Sequence, residues 1–253
     1  MVKTKRVLIL GGTDQGWQLA AQAAKIPDLE VFFSLAGRTR QPMIPMIQTR
    51  IGGFGGIPGL RDYLQQEKID FLINATHPFA TQISQNAAIA ASSLVIPYLR
   101  LLRPAWQKSE QDNWIEVESY EAAVSILSPL AQRVFLSIGR QELAMFSTLS
   151  DHWFLMRMVE PPSLNGSLPQ GKVLLARGPF DLDEERSLLQ TYKIEVIVSK
   201  NSGGNATYPK ILAARELGIP VIMVQRPELE KEETVAEIKE AIAWLKNKLE
   251  NDK

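Results

Sequence analysis

Hydrophobic positions along this 253-residue chain fall into short solid blocks, separated by longer stretches of helical period. The blocks cover residues 6–10, 30–35, 71–74, 133–138, 153–159, 173–176, 195–199 and 221–224. Solid apolar runs of this length predict strands buried on both faces, as in a parallel sheet, where an alternating pattern would predict a half-exposed one. Between them, residues 17–24, 59–67, 80–92, 119–127, 183–192, 208–217 and 234–249 carry apolar residues at helical spacing. Strand and helix therefore alternate almost to the end, which predicts an α/β fold built on parallel sheets. In the last helix Val235, Ile238, Ile242, Leu245 and Leu249 form one apolar stripe, which suits packing on a sheet or a dimer seam.

Polar residues mixed with Pro and Trp fill positions 103–114, and the strand–helix pattern then restarts. Two α/β domains are expected, one over 1–108 and a second over 109–253.

Composition narrows the function classes. Lys plus Arg equals Asp plus Glu at 28 each, so no global field draws the chain to nucleic acid or an anionic membrane. There is no cysteine, which removes disulfides, a thiolate nucleophile and a thiolate metal site together. The basic start at Met1 to Arg6 is followed by only four apolar residues before two glycines, too few for a signal-peptide core, and no run is long enough to span a membrane. A soluble cytoplasmic protein is expected. The two histidines, His77 and His152, are far apart in sequence and form no zinc motif, so no metal is expected. GSLPQGKV at 166–173 has Val173 where a Walker loop needs Ser or Thr, and G-x-S-x-G is absent.

The segment VLILGGTDQGWQLA reads as a strand, a glycine-rich turn and a helix. Such a turn presents backbone N–H groups to a pyrophosphate, with Gly11, Gly12, Thr13 and Gly16 at the contact. Thr13 stands where the dinucleotide fingerprint has its middle glycine, and its hydroxyl is itself a candidate phosphate donor. The second strand ends VFFSLAGRTR, with no acid for a ribose 2′-OH but with Arg38 and Thr39 suited to a 2′-phosphate, which points to NADPH over NADH. Thr76 and His77, in the loop after the third block, fall toward the nicotinamide end of this fold, where His77 is a candidate proton donor or a structural His-Pro turn. Cations follow strand after strand: Arg100 and Arg103, Arg140, Arg177, Lys200 and Arg226. A shared edge of cations suits a ligand with many carboxylates or phosphates. The turn Lys200, Asn201, Ser202, Gly203 before Tyr208 is a candidate anion site for substrate or cofactor, or a well-capped turn.

These segments together resemble the precorrin-6A and cobalt-precorrin-6A reductase family of corrin biosynthesis. The likeness is carried by LGGTDQG, SLAGRT, GGFGG, NATHPFA, PYLRLLRPAW, IGRQEL, RMVEPP, ARGPF, VSKNSGGNATYPK and GIPVIMVQRP, with Gln15 where the family pattern has Glu. The resemblance implies two Rossmann-like lobes with cofactor and substrate in the cleft between them. It also implies NADPH as cofactor and reduction of one double bond of a carboxylate-rich tetrapyrrole, for which the loops read above offer His77 and Lys200 as catalytic candidates. A non-catalytic NADP-binding regulator and a two-lobed nucleotide-sugar or phosphate transferase are the alternatives. The sequence leaves open the oligomeric state and whether the macrocycle carries cobalt.

Overall fold

The computed structural model describes residues 4–36, 47–162, 167–228 and 232–251. The chain divides into two compact units, Met1–Arg103 with Glu228–Lys253, and Pro104–Pro227.

The first unit holds β1 (Lys5–Leu10), α1 (Asp14–Ala23), β2 (Leu29–Leu35), β3 (Gln48–Ile51), α2 (Gly56–Gln66), β4 (Phe71–Asn74), α3 (Thr81–Leu94) and β5 (Tyr98–Leu101). The second holds β6 (Trp114–Val117), α4 (Tyr120–Leu130), β7 (Arg133–Ser137), a 3-10 turn at Leu143–Thr148, β8 (Trp153–Met158), β9 (Gly171–Leu175), α5 (Leu182–Thr191), β10 (Val196–Lys200), α6 (Pro209–Glu216) and β11 (Val221–Val224). The chain then returns to the first unit as β12 (Thr234–Val235) and α7 (Ile238–Asn251).

Each unit carries one six-stranded sheet, ordered β12-β5-β4-β1-β2-β3 in the first and β6-β11-β10-β7-β8-β9 in the second, with every pairing parallel. The expected class, α/β with two Rossmann-like parallel sheets, is the one observed. The solid apolar blocks are central strands: Val7, Leu8, Ile9, Leu72, Ile73, Val196, Ile197 and Val198 are wholly buried, because helices cover both faces.

The end of the chain departs from expectation. Residues 228–253 belong with the first unit instead of the second, because β12 pairs with β5 and α7 buries Ala241, Trp244 and Leu245 in the core formed by β1, β2, β4 and β5. The apolar stripe thus packs on the first sheet. Its helix also begins later than the spacing suggests: Thr234 and Val235 extend the sheet, and Glu240 then accepts from the backbone N–H groups of Ala236 and Glu237 at 3.0 and 2.9 Å, capping the first turn.

Candidate functional site

In an open parallel sheet, ligands bind outside the carboxyl ends of the strands, at the point where strand order reverses. In the first unit that point lies between β1 and β4. The turn leaving β1 has the expected form. Thr13 caps α1, its hydroxyl oxygen accepting from Gly16 N–H at 3.1 Å. The same hydroxyl donates to the Ala75 carbonyl at 2.9 Å, tying the β1 exit to the β4 exit. Its proton is therefore engaged within the protein, on the Ala75 carbonyl. Gly12 has φ +125°, with no atom of the described residues within 4 Å of the position a Cβ would take. Among the described residues the turn is therefore uncovered, and apart from Gly16, which donates to Thr13, the first N–H groups of α1 lack intrahelical partners, an arrangement able to receive an anion. Gly11 is required for packing instead, since a Cβ would fall 2.1 Å from the Phe33 ring.

Leaving β4, the buried Asn74 amide organises the neighbouring loop. Its nitrogen donates to Ser84 Oγ and Tyr98 Oη, and its oxygen accepts from Thr76 N–H and Oγ1 at 3.1 and 2.7 Å. Tyr98 in turn donates to Glu232 at 3.3 Å, and burial raises its phenol pKa, so it stays protonated. His77 Nδ1 accepts from Phe79 N–H at 3.2 Å, which places the neutral ring's proton on Nε2.

In the second unit the reversal lies between β7 and β10, and an ion pair spans it: Lys200 Nζ sits 3.2 Å from Glu142 Oε1. The loop after Lys200 is held from within. Asn201, 3% exposed, accepts from Trp106 N–H at 2.8 Å and donates to the Trp106 carbonyl at 3.2 Å. The Trp106 indole donates to the Gly204 carbonyl at 2.8 Å. Gly203, at φ +69°, passes so close to Pro104 that a Cβ would lie 2.0 Å from its carbonyl oxygen. Arg226 donates to the carbonyls of Asn201 and Ser202 at 2.9 and 3.0 Å. Tyr208 accepts from Arg215, which also grips the buried Asp112. Beneath the loop, Lys210 is buried, donates to the Thr207 carbonyl at 2.8 Å and faces the Trp106 ring. Burial pulls its pKa down to about 7, with Arg157 pushing the same way and Glu185 opposing.

The expected row of cations therefore divides. Arg177 and Arg140 are exposed at strand ends, Arg140 donating to the Pro161 carbonyl at 3.3 Å. Arg100 is buried and lies 4.0 Å from Glu232. Arg103 is half-buried in the first unit, its pKa lowered by burial against the opposing pull of Asp14. Asn201 and Arg226 spend polar atoms shaping the loop, because a tight turn leaves carbonyls that need donors, and the Tyr208 hydroxyl is held by Arg215. Arg38 and Thr39 lie outside the described residues. Sequence reasoning missed Glu142 and Trp106; each sits inside a quoted segment, IGRQEL and PYLRLLRPAW, but pairs with residues distant in sequence. Among the described residues no group of His, Asp and Glu is placed to hold a metal, and no helix is long and apolar enough to cross a membrane.

A family model described as precorrin-6x reductase CbiJ/CobK matches residues 6–246. The precorrin-6A reductase of Rhodococcus erythropolis is 45% identical, over 95% of this chain and 97% of its own. The cobalt-precorrin-6A reductase of Priestia megaterium is 29% identical, over 95% of this chain and 98% of its own. A solved structure titled CobK precorrin-6A reductase has the same fold, with a TM-score of 0.87 at 39% identity over 96% of both chains.

Proposed function

Since the chain belongs to the precorrin-6x reductase CbiJ/CobK family, we propose that it is an NADPH-dependent reductase that adds two hydrogens across one double bond of precorrin-6A to give precorrin-6B. The observation that carries the cofactor half is the Gly11 to Gly16 turn. It stands at the strand-order reversal of a parallel sheet, opens onto space above Gly12 and leads into a capped helix, an arrangement that fits a dinucleotide pyrophosphate. Gly12 and the first turn of α1 would hold that pyrophosphate, Arg38 and Thr39 the 2′-phosphate, and the Asn74-ordered loop with Thr76 the nicotinamide end. When bound, the nicotinamide supplies the hydride; the chain supplies orientation, charge and the exclusion of water.

Arg140, Arg177 and the Lys200 loop would receive the macrocycle, whose peripheral carboxylates call for cations and backbone donors. Identity favours the metal-free substrate, at 45% to a precorrin-6A reductase against 29% to a cobalt-precorrin-6A reductase. The test is an anaerobic assay of the purified protein with NADPH and either macrocycle. The expected result is NADPH oxidation with metal-free precorrin-6A and a product heavier by two hydrogens. Binding of NADPH without its consumption would instead support a regulator, and preferential turnover of the cobalt form would reverse the substrate assignment.

A further inference from the structure

Lys200 closes β10, and Glu142 follows β7, so the pair comes from the two strands between which the second sheet reverses. Both side chains are largely buried, 13% and 22% exposed. Gly139 lies directly under them: a Cβ there would be 2.5 Å from Glu142 Oε2 and 3.1 Å from Lys200 Nζ. The Lys200 ammonium also sits 5.6 Å from the centre of the Tyr120 ring. Burial, reinforced by the Glu142 carboxylate, raises the Tyr120 pKa, so this neighbour stays neutral, and Glu142 is an anion beside Lys200.

A receptor for substrate carboxylates works best with an uncompensated cation, as a second anion at the same ammonium competes with the ligand. Here a carboxylate from the chain already shares the charge. What the arrangement gains is direction: the long, flexible lysine side chain is fixed before substrate arrives, at the place in an open α/β sheet where ligands bind. We propose that Glu142 is a positioning residue that holds Lys200 as the proton donor of the reduction, an inference that rests on the reductase reading above.

In this step a Lys200 N–H bond breaks, its electron pair stays on Nζ, and a C–H bond forms at the ring carbon beside the one that takes the hydride. The two electrons of the reduction arrive with that hydride, so the proton transfer needs no other reductant. Lys200 is left as a neutral amine beside Glu142 and regains its proton from water. Gly139 serves the same end by leaving room for the pair across its Cα.

The test uses Glu142→Gln, Glu142→Asp and Gly139→Ala, with two readouts: turnover, and the dissociation constant of precorrin-6A from absorbance titration without NADPH. Glu142→Gln is expected to lower kcat by about tenfold or more while the dissociation constant stays within about twofold. Glu142→Asp is expected to recover part of the loss. Gly139→Ala changes no charge and meets no positive φ, so it displaces only the flexible ends of the pair, and a fall of about threefold or more in kcat is expected. Unchanged kcat in both Glu142→Gln and Gly139→Ala overturns the proposal. So does a changed dissociation constant with kcat intact, which would make Lys200 a carboxylate receptor. Failure of the unmutated protein to oxidise NADPH with the macrocycle would overturn the reductase reading, and this inference with it.

Discussion

The two units are built on one plan and finished differently. In each, two strands build one way from a central strand, β1 or β7, two more build the other way, and the sixth place is filled by a strand distant in sequence from the one it pairs with, β12 on β5 in the first unit and β6 on β11 in the second. Each has one reversal point, and in each a side chain joins the two exits there. In the first unit the link is a neutral hydroxyl, Thr13 to the Ala75 carbonyl, beside an open glycine turn. In the second it is an ion pair, Lys200 with Glu142, above a loop tied down by Asn201, Trp106 and Arg226. The same topology thus offers an uncluttered backbone surface in one unit and a held charge in the other. The first suits a phosphate-bearing cofactor, the second acid chemistry on a substrate.

The largest expected effect sharpens the cofactor side of this contrast. Arg38→Ala should weaken NADPH binding by about 1.5–3 kcal/mol, the scale of a charge-assisted hydrogen bond, and leave NADH binding nearly unchanged. Titration of both nucleotides against both proteins checks it; equal losses for the two would detach Arg38 from the 2′-phosphate.

Breaking each link should have unlike consequences. Thr13→Val removes a helix cap and a part-buried hydrogen bond, and should cost about 1–2 kcal/mol in urea unfolding. Glu142→Gln leaves an amide oxygen of the same shape to accept from the largely buried Lys200, and should cost less than about 1 kcal/mol. Equal stability losses would mean that the second link is as structural as the first.

A further effect, spread over pH, concerns the support of the second loop. Folded Lys210 holds its proton only up to about pH 7, whereas the unfolded side chain holds it to the ordinary value of 10.5. The unfolded chain therefore binds more protons across that window, and stability rises with pH there by up to about 1.4 kcal/mol per pH unit. Lys210→Met should abolish this rise, so the stability difference, unmutated protein minus variant, should grow from about pH 7 to about pH 9. Parallel stability curves would show that Lys210 does not titrate in this range.

How far the fold was legible follows burial for most strands, with two exceptions: β5, interior but interrupted by Arg100, went unread, and β9, an outer strand, was read. VLIL in β1, FLIN in β4 and VIMV in β11 are central and solidly apolar, and they stood out because burial on both faces demands that composition. QTRI in β3, WIEV in β6 and TV in β12 are outer strands of their sheets; each is a strand because a neighbour's edge accepts it, a fact that local composition does not carry. The glycine turn was legible for a similar reason, since its conformation is imposed locally. In the second unit Asn201 and Arg226 look like ligand donors, and the loop's own carbonyls and Trp106 take hydrogen bonds from them. Glu142 gave no signal, because what sets it apart is Lys200, 58 positions along the chain.

The division of labour between the two reversal points is tested most directly by the NADPH dissociation constant of two variants, Gly12→Val and Lys200→Ala, measured by fluorescence titration. A valine at φ +125° fills the space over the turn and strains it, so Gly12→Val should weaken NADPH by about tenfold or more, while Lys200→Ala should bind it within about twofold of the unmutated protein and lose turnover. Loss of NADPH affinity in Lys200→Ala, or its retention in Gly12→Val, would contradict the assignment of cofactor to the first unit and acid to the second.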